Sequence, residues 1–68
     1  MSAAVLVRGA DVVVGEILVF LGRVHRVTSI EDYRHPLFPA ETWRIAREEP
    51  TGWEMVLEPW ARVEVARS

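Results

Sequence analysis

Short runs of valine, isoleucine, leucine and aromatic residues recur along this chain. Each is closed by glycine or proline: Gly9, Gly15, Gly22, Pro36 and Pro39, Pro50 with Gly52, then Pro59. Segments of that length and composition, cut at that spacing, predict a small all-β domain. Residues 17–21, ILVFL, read as a strand apolar on both faces. Gly22 then turns the chain into residues 23–33, a long partner strand whose expected core contacts are Val24, Val27 and Ile30. The three-residue step from Val27 to Ile30 breaks the period of two. A bulge at Thr28–Ser29 returns both residues to the core and bends the strand, as a closed barrel requires.

Residues 42–47, TWRIAR, alternate with Trp43 and Ile45 on one face and Arg44 on the other. Pro50 and Gly52 supply the next turn. In residues 53–58, Trp53, Met55 and Leu57 point inward, and Glu54, Val56 and Glu58 outward. Residues 61–66 repeat this, with Val63 and Val65 inward and Arg62 and Glu64 outward. Glutamate and arginine on such neighbours pair across strands, each pair contributing ~0.2–1 kcal/mol. A helix over residues 39–49 is the rival reading, because Pro39 suits a first helical turn and Glu41 its dipole. It conflicts with the periodicity, since Trp43 and Ile45 then fall on nearly opposite sides, and Phe38 is a poor N-cap. A strand is preferred there.

With these elements in place, VGEILVFLGRVHRVTSIEDY (14–33) resembles the first hairpin of a Src-homology-type small barrel: a Gly-acid entry, an apolar strand, a glycine turn and a bulged strand. LEPWARVEV (57–65) is similar to the end of such barrels, where a single helical turn joins the last two strands. The resemblance implies a five- or six-stranded Src-homology-like barrel with that helical turn before its last strand. Barrels of this kind bind peptides or RNA, or assemble with copies of themselves, so the likeness implies a fold and no single function. The proline-helix groove of the peptide-binding subtype needs paired tyrosines beside a tryptophan. This chain has one tyrosine, Tyr33, and lacks the acidic first long loop.

Length sharpens the picture: 68 residues make one domain over residues 1–68, with no room for a second core. There is no cysteine, so neither a disulfide nor a thiolate zinc cluster supports the fold. All eight basic residues are arginine, and lysine, asparagine and glutamine are absent. That bias suits a GC-rich coding source, such as an actinobacterium or one of its phages. The net charge of −2 supplies no bulk positive field for phosphates. The apolar run from Ala3 to Val7 ends at Arg8, and residues 17–21 fall far short of the ~20 residues that span a bilayer. A cytoplasmic protein with no membrane contact is expected.

Candidate chemistry narrows accordingly. With no cysteine or lysine, nucleophilic catalysis is left with serine or threonine beside His25 or His35, and no nucleophile-elbow sequence is present. The glycines are isolated and form no phosphate loop. The chain is read as no enzyme, with no cofactor and no small-molecule substrate. His25, Asp32 and His35 are the one set of metal-ligand types close in sequence, at a spacing that matches no metal motif. His25 reads instead as a semi-buried strand residue in register with Val27 and His35 as a loop residue, with no metal.

Two contact surfaces remain. Arg23, Arg26 and Arg44 with Tyr33 have the arginine-plus-aromatic composition that stacks bases and holds phosphates, although Glu31, Asp32, Glu41, Glu48 and Glu49 interleave with them. The leading surface is apolar. Residues 5–7, 12–14 and 17–21 carry more hydrophobicity than a one-sided strand needs, and Leu37 and Phe38 sit in a loop boxed by Pro36 and Pro39. Tyr33, His35, Leu37, Phe38 and Trp43 are the expected anchors for a protein partner or a second copy, with the aromatics filling a pocket on the partner.

Overall fold

The computed structural model describes residues 3–67; Met1, Ser2 and Ser68, which the expected domain over residues 1–68 includes, lie outside the described residues. Alternation and glycine punctuation produce what they promise in class: an all-β chain with two antiparallel sheets. Its strands are β1 (Ala3–Arg8), β2 (Ile17–Phe20), β3 (Arg23–Arg26), β4 (Ser29–His35), β5 (Phe38–Glu48), β6 (Trp53–Leu57) and β7 (Arg62–Arg67). One sheet has the order β1-β7-β2-β3 and the other β4-β5-β6. These are seven strands rather than five or six, and no ladder closes the two sheets into a barrel among the described residues. The one helical turn among the described residues, a 3-10 turn at Gly9–Asp11, follows β1. Before the last strand, residues 58–61 form a plain turn closed by Ala61 N–H donating to the Glu58 carbonyl.

The long strand expected over residues 23–33 is divided between the sheets. Val27 and Thr28 make the corner. Val27 N–H donates to the Glu16 carbonyl at 2.8 Å, and its own carbonyl accepts from Gly15 N–H at 2.8 Å. One residue later, Thr28 N–H donates to the Arg47 carbonyl of β5, and its Oγ1 accepts from Glu49 N–H at 3.0 Å. A chain that changes ladder at successive residues turns from one sheet to the next, the way packed sheets are joined at corners. Val27 is thereby buried and Ile30 half-buried, as expected. Val24 is not: it is 64% exposed, because the ladder sets His25 opposite the buried Leu18 and Val24 opposite Val19 on the other face.

Between the sheets lies one core: Val12, Leu18, Val27, Ala46, Leu57, Val63 and Val65, with Val7, Ile30, Trp53 and Met55 packed around it. Burying each larger side chain contributes roughly 1.5–3 kcal/mol. Residues 39–49 are strand, not helix, apart from Glu49. Register sets Ala46 against Ile30 and Met55, so the even positions of β5 face the core. By alternation Trp43 and Ile45 lie on the opposite face of that sheet. No helix among the described residues is long and apolar enough to cross a membrane.

Candidate functional site

The β4–β5 hairpin gathers its aromatic residues around Trp43. Tyr33 stands opposite Trp43 in the ladder, and His35 opposite Phe38. Between those pairs the ladder is irregular: Pro39 to Thr42 on β5 face Arg34 alone on β4. The bulge is held by Arg34 Nη1, which donates to the Pro39 carbonyl at 2.7 Å. Absorbing the extra residues bends β5 and brings Phe38 back over Trp43. Ring centroids then lie 4.8 Å (His35), 5.6 Å (Phe38) and 6.1 Å (Tyr33) from Trp43. Such spacings are those of attractive offset and edge-on aromatic pairs, each contributing about 0.5–1.5 kcal/mol beyond area burial.

A fifth ring arrives from outside the hairpin. Trp60, in the β6–β7 turn, meets Trp43 edge-on at 5.3 Å and 90°, and lies 5.7 Å from Phe38. Trp60 lies within LEPWARVEV (57–65), and a tryptophan that no strand pattern buries is the signal in the sequence that points to it. Trp43 is left 9% exposed, whereas Trp60 and Phe38 keep about half their surface in solvent, at 50% and 43%. Trp43 Nε1 is buried without a hydrogen-bond acceptor. Leaving such a donor unsatisfied costs about 1–3 kcal/mol. Leu37, at the tip, is 78% exposed, with its N–H donated to His35 Nδ1 at 3.1 Å. Tyr33, His35, Phe38 and Trp43 are therefore brought together, and Leu37 stands at the rim. Beside them Asp32, Tyr33, Arg34 and Thr42 line a shallow open depression.

The arginine set is not brought together. Arg44 turns inward: its Nη1 donates to the carbonyls of Gly9 (2.9 Å) and Ala10 (3.1 Å), and its Nε lies 3.6 Å from Asp32. Arg23 and Arg26 are both exposed but, three apart on one strand, lie on opposite faces of the sheet. Arg47 is held between Glu31 and Glu54, and Arg67 on Glu16.

The two histidines also separate. His25 belongs to the core edge, stacked on Trp53 with centroids 3.8 Å apart, and its Nδ1 is bonded to Glu48 Oε1 at 3.0 Å. Glu48 also accepts from Arg26 N–H and Thr51 Oγ1–H, and these bonds, His25 first, hold its carboxyl below the usual carboxylate range. Among the described residues no three histidine, aspartate or glutamate side chains form a metal-sized cluster.

Comparison with family models, with curated proteins and with solved structures yields no match.

Proposed function

We propose that this chain is a non-catalytic, cytoplasmic β-module, a Src-homology-like barrel opened into two sheets, that works by protein–protein contact through the aromatic end of its β4–β5 hairpin. It serves as an accessory or regulatory docking module. The observation that carries this reading is the half-exposed aromatic cover, Phe38 and Trp60, packed over the buried Trp43. Large, stiff, partly apolar side chains held in solvent are what a partner surface uses: the rings fill a pocket on the partner. Leu37 extends the apolar rim, and Arg34 and Asp32 beside it set orientation more than affinity.

The alternative, a nucleic-acid face of Arg23, Arg26, Arg44 and Tyr33, has less support, because Arg44 spends its donors on Gly9 and Ala10. Capture from an extract of the source cells tests the choice. A bait carrying Phe38→Asp or Trp60→Ala is expected to lose the protein that the unaltered chain retains. Equal capture by all three baits, or a mobility shift on mixed nucleic acid that weakens steeply with salt, overturns it.

A further inference from the structure

Four strands border the two sheets: β1 and β3 in one, β4 and β6 in the other. A bordering strand offers a row of N–H and C=O groups to any further strand, and folded chains blunt it with charge, proline, shortness or a bulge. β3 has four residues and an arginine at each end. β4 carries Glu31, Asp32 and Arg34 and an irregular register. β6 carries Glu54 and runs into Glu58 and Pro59. β1 has none of these guards. Ala3, Ala4, Val5, Leu6 and Val7 make up five of its six residues, and its one charge, Arg8, closes the end against Asp11 at 3.5 Å.

β1 also opens onto the outer face of its sheet, where apolar Leu6, Val19 and Val24 are interrupted by Glu64. Register sets Leu6 beside Glu64, Glu64 beside Val19, and Val19 beside Val24. Leu6 and Val24 are each 64% exposed. The whole chain is short of cover: it exposes 4724 Å², against about 4,400 Å² for a folded monomer of its mass. Its radius of gyration is 11.9 Å, against about 11 Å for a compact chain of its length.

We infer that β1 pairs antiparallel with the β1 of a second copy, about a two-fold axis through Leu6. An antiparallel edge is complementary to itself, so a second copy brings the same unguarded strand, and the two-fold axis closes the interface. Core-side residues stay on one side only if the paired residue numbers have the same parity. Centring on Leu6 meets that condition: Leu6 faces Leu6 of the second copy, Val5 faces Val7, and Ala4 faces Arg8. The most exposed apolar side chain of β1 is then covered by its own equivalent. The two Arg8 side chains lie at opposite ends of the seam, where they do not repel. The four-stranded sheet becomes one continuous sheet across both copies. A seam this short falls below about 1,200 Å², so association is reversible and follows concentration. This surface is separate from the aromatic hairpin, and the pairing stands or falls independently of the docking function.

The chain has no cysteine, so Leu6→Cys places a lone thiol at the axis. Val24→Cys, equally exposed on the same sheet, is the control. Under mild oxidation Leu6→Cys is expected to form a disulfide-linked dimer at least about tenfold faster than Val24→Cys, because pairing raises the effective thiol concentration. In sedimentation over roughly a hundredfold concentration range, the unaltered chain is expected to move from monomer toward dimer. Leu6→Lys is expected to remain monomeric with an unchanged circular dichroism spectrum. Equal cross-linking rates of the two cysteine variants, or an unaltered chain that is monomeric throughout, overturn the proposal.

Discussion

The imidazole of His25 lies flat on the indole of Trp53, with ring planes 2° from parallel and centroids 3.8 Å apart. The two residues belong to different sheets, His25 to β3 and Trp53 to β6. Glu48, opposite Trp53 on β5, grips the same imidazole through Nδ1. Stack and hydrogen bond together pin the edge of one sheet to the other. Trp53→Ala is expected to cost about 2–4 kcal/mol of stability and His25→Ala about 1–2 kcal/mol. Urea unfolding monitored by far-ultraviolet circular dichroism measures both. Losses under about 0.5 kcal/mol would mean that the sheets are joined without this contact.

Acid should loosen the same junction. Hydrogen bonds from His25, from Arg26 N–H and from Thr51 hold the Glu48 carboxyl below its ordinary range. For Glu16, burial pushes the carboxyl up, but Arg67 and the Val13 N–H outweigh it and the net direction is down. A carboxylate with a lower value in the folded chain contributes stability that is complete above its unfolded value, about 4.3, and is lost as pH falls through the folded value. The thermal midpoint is therefore expected to drop on acidification below about pH 4.5. Glu48→Gln is expected to start lower at neutral pH and to fall less steeply with acid. An acid slope identical to that of the unaltered chain contradicts the assignment.

Gly9 sits where no side chain fits. A Cβ there would stand 2.4 Å from the Glu58 carbonyl oxygen, which is backbone and has little room to yield. The Gly9 N–H donates to the Ala61 carbonyl at 2.8 Å, and the Gly9 carbonyl accepts from Arg44. Gly9→Ala is expected to cost about 2 kcal/mol or more, read as a lower urea midpoint. A change within about 0.5 kcal/mol would show that the 3-10 turn can shift freely.

Val24 and Val27 make a paired test of the corner. Val27 is 1% exposed and Val24 64%. Val27→Ala is expected to cost about 2 kcal/mol, and Val24→Thr less than about 0.5 kcal/mol. Similar losses at both positions would favour one uninterrupted strand over residues 23–33 and contradict the change of sheet.

That pair also marks how far the sequence could be read. The strand class, the glycine turns, the inward faces of β6 and β7 and the aromatic composition of the hairpin follow from period-two alternation, a local property. Tyr33, His35, Phe38 and Trp43 were legible as a group because one hairpin carries them all. Which sheet a strand joins is decided by ladders between residues far apart, such as Thr28 with Arg47. Alternation is silent on that. It therefore hid the inward turn of Arg44, the grip of Glu48 on His25 and the arrival of Trp60 over Trp43, whereas the outward turn of Val24 was legible in its odd, three-residue step from Val27. The expected helical turn before the last strand fails for a related reason: residues 58–61 close with a single turn bond, and Trp60 packs onto the neighbouring hairpin instead.

Docking through the hairpin is tested most directly by a photo-reactive residue placed at position 37, the exposed tip, and irradiated in extract of the source cells. A discrete protein adduct is expected at position 37, absent when the same residue stands at position 24, and lost when Phe38→Asp is added. No protein adduct at position 37, or one that survives Phe38→Asp undiminished, contradicts docking through the aromatic hairpin.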